Sequence, residues 1–151
     1  MTNVLIIYTG GTIGMINDPK SGVLVPFNFE QITDHVPELK RLKYQFTVHS
    51  FDPLIDSSNM SPEIYKELAL RIQRDYDQYD GFVILHGSDT MSYTASALSF
   101  MIENLDKPVI FTGSQLPVNG IRTDAKENLI TALEIAAEKR KGKAMVPEVC
   151  I

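Results

Sequence analysis

The sequence predicts an α/β protein with a three-layer, open, mostly parallel sheet and helices on both faces. Its opening run, Val-Leu-Ile-Ile-Tyr at residues 4–8, is apolar without a break, as is typical of a strand buried on both sides. Such runs alternate along the chain with stretches of helical periodicity, which favours parallel pairing. Glycine turns follow three of the runs. We therefore expect a flavodoxin-like or Rossmann-like arrangement, in which ligands bind at the carboxyl ends of the strands.

Composition bounds the classes of function. A length of 151 residues fits one domain, and a net charge of -5 with no basic stripe excludes a nucleic-acid partner. A single cysteine, Cys150, excludes an internal disulfide and suits a reducing compartment. The N-terminus has no basic leader, and its apolar run is too short to span a bilayer. We expect a cytoplasmic protein without a membrane partner.

The first half of the chain is predicted to hold two strands, two helices and a lid. After the opening strand, the predicted elements are a lid over residues 15–26, a helix over 28–36, a strand over 44–51 and a helix over 62–76. The lid is rich in turn formers, with Gly14 and Gly22 as possible hinges. Ser61 as N-cap and Pro62 at the first helical position mark the start of the last helix.

The second half continues the alternation. The predicted elements are a strand over residues 81–86, a helix over 91–104, a strand over 108–113 and a helix over 123–140. Small residues of the first of these helices should allow it to approach the sheet closely: Ala95, Ala97 and Ser99. We expect the cationic residues 139–141 to close the last helix and Gly142 to cap it. Because sheets rarely finish on their most hydrophobic residues, the apolar run 146–151 predicts a truncated parent protein.

Hydroxyls and carboxylates follow three of the predicted strands, where parallel pairing would bring them to one edge. They are Thr12 after the first strand, Asp56, Ser57 and Ser58 after the second, and Ser88 and Asp89 after the third. A hydroxyl needs a neighbouring base to act as a nucleophile, and backbone N–H groups at a helix start could stabilise an oxyanion. Ser57 and Ser58 would suit a carboxylate ligand, and Asp89 an ammonium group. The set predicts a site for a small zwitterion.

Each of these features also has a purely structural interpretation. The glycine turn at Thr12 could be a plain turn or part of a phosphate cradle. Residues 56–59 could be turn chemistry, and Asp89 a helix cap. We expect His86 to be packed and hydrogen-bonded rather than to act as a base. The remaining candidates have no metal-ligand spacing: His35, His49 and Cys150.

Two sequence motifs favour the functional interpretation over the structural one. Thr9-Gly-Gly-Thr-Ile-Gly14 and His86-Gly-Ser-Asp-Thr-Met91 resemble the paired signatures of the bacterial-type L-asparaginases. Residues 56–60, 93–100 and 111–117 resemble the cytoplasmic type I branch most closely. The resemblance covers essentially the whole chain and ends within what would be the larger, N-terminal domain of a two-domain protein. Residues 1–151 are accordingly expected to be that domain, without the smaller C-terminal one.

The resemblance implies an enzyme that hydrolyses L-asparagine to L-aspartate and ammonia without a metal or organic cofactor. Thr12 matches the nucleophilic threonine, Ser88 the second catalytic threonine, and Asp89 the aspartate that completes a hydroxyl–lysine–aspartate relay and binds the substrate amino group. Ser57, with Asp56 and Ser58, matches the loop that holds the substrate α-carboxylate. The full-length protein is expected to form a homodimer or homotetramer.

Three departures from the family pattern accompany the resemblance. Serine at position 88 keeps the hydroxyl but lacks the methyl that restrains χ1. Val23 and Leu24 lie where many members carry a lid tyrosine. In the family, the relay lysine lies beyond the position that matches residue 151. We therefore expect the chain to be inactive alone. The alternatives are a glutaminase, the amidase subunit of a glutamyl-tRNA amidotransferase, or a non-catalytic small-ligand-binding module.

Overall fold

The computed structural model describes residues 1–151. Its elements in chain order are β1 (Asn3–Tyr8), β2 (Met15–Asn17), β3 (Leu24–Pro26), α1 (Ile32–His35), β4 (Gln45–Ser50), α2 (Pro62–Asp75), β5 (Gly81–Leu85), α3 (Met91–Met101), β6 (Val109–Thr112), α4 (Ala125–Ala137), β7 (Lys139–Arg140), β8 (Lys143–Ala144) and β9 (Val149–Cys150). Short 3₁₀ turns cover Thr12–Gly14, Phe29–Gln31, Pro37–Arg41, Ser57–Asn59 and Tyr76–Gln78.

Five parallel strands form the central sheet in the order β4-β1-β5-β6-β9. From β1 the chain first adds β4 on one side and then builds β5, β6 and β9 on the other. The strand order therefore reverses between β1 and β5, which is where ligands of open α/β sheets bind. The predicted fold class is confirmed, and the final apolar run supplies the edge strand β9.

The opening strand is buried on both faces, as its unbroken apolar run predicts. Val4 and Ile6 belong to a core cluster shared with α1 and α4, whereas Leu5 and Ile7 belong to a second cluster shared with α2 and α3. All four side chains are at most 1% exposed. This double burial fixes β1 at the centre of three layers and places the turn that follows it at the rim of the sheet.

The predicted lid has regular structure. Its two ends pair as an antiparallel hairpin, β2 with β3, in which Met15 lies opposite Pro26. Gly14 is buried against the Tyr8 ring, which leaves no space for a Cβ atom, and so the base of the hairpin packs on β1. Hinge motion at Gly14 and Gly22 stays a prediction.

The end of the last predicted helix is wrong. α4 stops at Ala137, because Glu138 is extended with φ -71° and ψ 131°, and residues 139–140 pair with β8 in a second hairpin. Lys141 and Gly142 form its two-residue turn with φ values of 53° and 79°, the backbone that tight hairpins require. Gly142 therefore does not cap the helix, and Lys139 Nζ instead lies 2.6 Å from Asp80 Oδ1.

Two smaller differences concern α2 and α3. Ser61 and Pro62 occupy the predicted N-cap and first helical positions, but the Ser61 side chain makes no capping hydrogen bond. α3 ends at Met101 rather than at residue 104. Among its small residues Ala95 is buried against the core, whereas Ser99 is exposed. None of the helices is both long and apolar enough to cross a membrane.

Candidate functional site

The loops that follow β1, β4, β5 and β6 surround one cavity of about 470 Å³ at the reversal point of the sheet. Its lining comprises Gly10, Gly11, Thr12, Met15, Pro26, Leu54, Ile55, Asp56, Ser57, Gly87, Ser88, Asp89, Ser114 and Gln115. Five of the six predicted site residues are in this set. The sixth, Ser58, is not.

The loop after β1 and the loop after β5 contact each other through their backbones. Gly11 adopts φ +94°, and a Cβ atom built there would lie 2.8 Å from the backbone nitrogen of Gly87. Positive φ and this close approach both demand glycine at position 11. The paired glycines after β1 therefore do more than reverse the chain: they let the loop that carries Thr12 contact the loop that carries Ser88.

The loop after β4 contacts both the loop after β1 and the loop after β5. A Cβ atom on Gly87 would lie 2.7 Å from Ser57 Cβ, so the serine packs directly on the glycine. Thr90 Oγ1 donates a hydrogen bond to the carbonyl oxygen of Ser57 at 2.6 Å. The backbone N–H of Ile55 donates to the carbonyl of Thr9 at 2.7 Å. Residues distant in sequence are thus held together by main-chain contacts as well as by side chains.

Thr12 begins the 3₁₀ turn after β1 and is half-buried. Its hydroxyl makes no hydrogen bond within the chain, although the residue lines the cavity. Beneath it, Tyr8 donates to the carbonyl of Gly11 at 3.2 Å, and burial raises the pKa of Tyr8 to about 12. Tyr8 is therefore a neutral structural donor at physiological pH. Of these two hydroxyls, only that of Thr12 is free to meet a ligand.

The Asp56–Ser58 turn divides its side chains between structure and cavity. Asp56 Oδ1 accepts hydrogen bonds from the Ser58 N–H at 2.9 Å and from Ser58 Oγ at 2.7 Å, and these bonds lower the pKa of the Asp56 carboxyl. The interpretation as turn chemistry thus holds for the pair Asp56 and Ser58. Ser57 is 5% exposed and lines the cavity. It is therefore the candidate ligand-binding hydroxyl of this loop.

Ser88 and Asp89 lie in the loop between β5 and α3 and are both exposed. The N-cap of α3 is Thr90, and the Asp89 carboxylate makes no hydrogen bond within the chain. The interpretation of Asp89 as a helix cap is therefore wrong. An unpaired carboxylate at the rim of a cavity is suited to bind a cationic group of a ligand.

His86 is the buried first residue of this loop, and the prediction that it is packed and hydrogen-bonded is confirmed. Its Nδ1 lies 2.7 Å from the carbonyl oxygen of Gly87, and its Nε2 lies 2.9 Å from Thr94 Oγ1. Burial lowers the pKa of the imidazole, and the hydrogen bond to Gly87 offsets this in part. The ring supports the loop from within the core and does not line the cavity.

Several lining residues escaped the sequence prediction. Met15 and Pro26 come from the β2–β3 hairpin, which shows that the segment over the strand end does form part of the wall. Ser114 and Gln115 follow β6. Their signal was the glycine turn after the fourth predicted strand, which ends in Ser-Gln just as the third ends in Ser-Asp.

The charge of the lining favours a ligand with a cationic group. Asp56 and Asp89 contribute two carboxylates, and no lysine or arginine lies among the lining residues. Any anionic group of a ligand would have to bind hydroxyls and backbone N–H groups of the lining. The cavity therefore brings the unpaired hydroxyl of Thr12, the hydroxyl of Ser57 and the carboxylate of Asp89 together within one small volume.

Comparison with known proteins agrees with this arrangement. A family model described as Asparaginase, N-terminal matches residues 3–151. L-asparaginase 1 of Escherichia coli K12 is 50% identical over 136 residues, which are 89% of this chain and 40% of that protein. One of the subunits that make up the glutamyl-tRNA(Gln) amidotransferase of Thermococcus kodakarensis is 39% identical over 142 residues, 90% of this chain and 31% of that protein.

A solved structure gives the same result for the fold. L-asparaginase I of Vibrio cholerae superposes with a TM-score of 0.82 at 48% identity, over 95% of this chain and 43% of that one. The chain thus spans less than half the length of the relatives it matches. From residue 3 to residue 151, the chain belongs to the asparaginase family and corresponds to its N-terminal region.

Proposed function

We propose that the full-length protein is an amidohydrolase that converts L-asparagine to L-aspartate and ammonia. The observation that carries the proposal is the convergence of Thr12, Ser57, Ser88 and Asp89 on one cavity at the reversal point of the sheet. The similarity to E. coli L-asparaginase 1 supports the same reaction.

In the proposed reaction, Thr12 Oγ1 attacks the side-chain amide carbon of asparagine and forms a C–O bond. The hydroxyl proton passes through the relay to the leaving nitrogen, the C–N bond breaks, and ammonia departs. A water molecule then adds to the acyl-enzyme ester, and aspartate leaves as Thr12 recovers its proton. A neutral hydroxyl attacks poorly without a base, which is the role of the relay that includes Ser88 and Asp89.

Substrate binding follows the charges of the cavity. The exposed carboxylate of Asp89 would hold the α-ammonium group, and the Ser57 hydroxyl, on its wall, would hold the α-carboxylate. The two ends of the amino acid fix the direction of its side chain. That direction must bring the amide carbon to Thr12. A cavity of about 470 Å³ is large enough for a small zwitterion.

The relay needs a lysine, and none lies in the cavity lining. We therefore propose that this lysine comes from a part of the full-length protein outside these 151 residues. In the same proposal, residues 1–151 are the larger domain, a smaller C-terminal domain completes the site, and the cytoplasmic protein assembles as a homodimer or homotetramer. The isolated chain would then be inactive.

One observation favours a second candidate. The T. kodakarensis amidotransferase component is 39% identical over most of this chain, so the same loops could deamidate glutamine for a partner protein. A phosphate-binding module fits less well, because Asp56 and Asp89 would repel a phosphate group in the same cavity.

Ammonia release from asparagine and glutamine tests these proposals. The full-length protein should turn over asparagine, and the chain of residues 1–151 should not. Thr12→Ala in the full-length protein should lower kcat by about a thousandfold or more, because no other lining hydroxyl occupies its position. Thr47→Ala, on the exposed face of β4, is the matched control and should leave kcat unchanged.

Other outcomes would redirect the assignment. Substantial activity in Thr12→Ala would move the nucleophile, with Ser88 as the next candidate. Turnover by the isolated chain would contradict the external lysine. A preference for glutamine that needs a partner protein would favour the amidotransferase alternative.

A further inference from the structure

We propose that Gln115 is a positioning residue that holds the Ser88 hydroxyl in one orientation. The inference rests on the proposed function, because Ser88 acts there in the proton relay. Gln115 Nε2 donates a hydrogen bond to Ser88 Oγ at 3.2 Å and so joins the loop after β6 to the loop after β5. No other side chain of the protein contacts the Ser88 hydroxyl by a hydrogen bond.

The hydrogen bond between Gln115 and Ser88 lies at the boundary between two cavities. Gln115 lines both the cavity of the candidate site and a neighbouring one of about 260 Å³, and Ser88 lines the same two. The bond between them therefore forms part of the partition between two cavities. If it were lost, the Ser88 side chain could turn from the proposed substrate cavity toward the second one.

The backbone of Gln115 is anchored independently of its side chain. The Asp124 carboxylate accepts hydrogen bonds from the backbone N–H of Gln115 at 2.9 Å and of Leu116 at 3.1 Å. Burial alone would raise the pKa of Asp124, but these bonds outweigh it and the pKa is lowered. Asn128 Nδ2 donates to the Gly113 carbonyl at 2.9 Å and to Asp124 Oδ2 at 3.3 Å. The loop should therefore keep its path when the side chain of residue 115 is changed.

Ser88 is the kind of residue that needs such a restraint. It is exposed and has no second branch at Cβ, so three staggered χ1 rotamers are open to it. The Gln115 amide nitrogen can only donate, and it therefore occupies a lone pair of Ser88 Oγ in one of those rotamers. Ser88 keeps its own O–H for a second partner, which in the proposed reaction is a member of the relay.

The test is a double-mutant cycle in the full-length protein. Gln115→Met keeps the length of the side chain and removes its donor, and it should lower kcat for asparagine about fivefold, with little change in KM. Ser88→Thr keeps the hydroxyl and adds a χ1 restraint through its γ-methyl group, and its own kcat is the reference against which the double variant is compared. In the double variant the threonine should recover most of the lost kcat, which a merely structural role of Gln115 would not allow.

Gln78→Met is the matched control, since Gln78 is exposed and makes no side-chain hydrogen bond. An unchanged kcat in Gln115→Met, or a loss that Ser88→Thr does not recover, would overturn the proposal. Crystal structures of the full-length wild type and Gln115→Met test the contact without activity. They should show one Ser88 rotamer in the first and more than one in the second, and a single unchanged rotamer in both would also overturn it. If wild type releases no ammonia, the proposed function fails while this structural comparison still tests the contact.

Discussion

Thr90 Oγ1 donates a 2.6 Å hydrogen bond to the carbonyl oxygen of Ser57, which joins the start of α3 to the turn after β4. The acceptor belongs to a residue that is 5% exposed, so water cannot readily replace the bond. The turn that is proposed to hold the substrate carboxylate is therefore positioned by a helix that begins beside Ser88 and Asp89. The residues proposed to bind the substrate and those proposed to form the relay therefore share one support.

Replacing Thr90 by valine tests this support. Thr90→Val keeps the branched shape but removes the donor, and an unpaired buried carbonyl should cost about 1–2 kcal/mol in the free energy of unfolding. If the full-length protein hydrolyses asparagine as proposed, its KM for asparagine should rise, because the Ser57 turn loses its anchor. Thr47→Val, on an exposed strand position without a hydroxyl partner, should change neither quantity. Equal stability of Thr90→Val and wild type in urea unfolding would contradict the prediction.

The requirement for glycine at position 11 can be tested by comparison with a second glycine at positive φ. Gly11→Ala and Gly22→Ala both place alanine at positive φ, +94° and +69°, but nothing lies within 4 Å of the new Cβ atom at Gly22. Gly22→Ala should lose about 1 kcal/mol of stability from φ alone. Gly11→Ala should lose clearly more, because its Cβ meets the Gly87 backbone and because ψ 166° at positive φ is a conformation that only glycine adopts readily. Similar losses in thermal unfolding would mean that the close approach is unimportant.

Much of the fold could be predicted because local pattern and tertiary burial agree in the central strands. The run at residues 4–8 is apolar at every position, and both of its faces are indeed covered. The predictions fail where one local sequence pattern is compatible with two different structures. Residues 139–142 resemble a cationic helix end, yet a Lys-Gly pair is also a tight hairpin turn, and pairing of β7 with β8 decides the outcome.

The sequence predicted which residues of the site follow the ends of the strands, but it did not predict the contacts between their side chains. The sequence indicated that Thr12, Ser57 and Ser88 would meet, because parallel strands share an edge, and all three line the cavity. It could not indicate that Asp56 would turn to Ser58, since an Asp-Ser-Ser loop can bond itself or a ligand equally well. Gln115 was missed for a similar reason: its role depends on a distance of 3.2 Å between two loops, which no sequence spacing encodes.

Stability should depend on pH through His86. Burial lowers its folded pKa below the usual value of 6.5, so the unfolded chain binds a proton more readily than the folded one. Stability from neutral His86 is therefore present above about pH 6.5 and declines as the pH falls below it. The free energy of unfolding should fall between about pH 7.5 and pH 5.5, and less steeply in His86→Gln.

A second histidine provides the control for this slope. The pKa of His49, a residue of β4, is also lowered by burial. His49→Gln should flatten the dependence less than His86→Gln, because His49 is only half-buried. Urea unfolding at both pH values measures the two slopes. Parallel lines for wild type and His86→Gln would show that His86 titrates alike in both states.

Two buried tyrosine hydroxyls should respond in opposite ways to their removal. Tyr44 OH is buried without a hydrogen-bond partner, and burial together with Glu134 raises the pKa of Tyr44 to about 12. Tyr8 OH instead donates to the Gly11 carbonyl at 3.2 Å. Tyr44→Phe relieves an unpaired polar group and should raise the free energy of unfolding by about 1 kcal/mol, whereas Tyr8→Phe should lower it by about 1 kcal/mol. The rings remain in both variants, so urea unfolding compares the hydroxyls alone. A loss of stability in Tyr44→Phe equal to that in Tyr8→Phe would mean that the Tyr44 hydroxyl has a partner in solution.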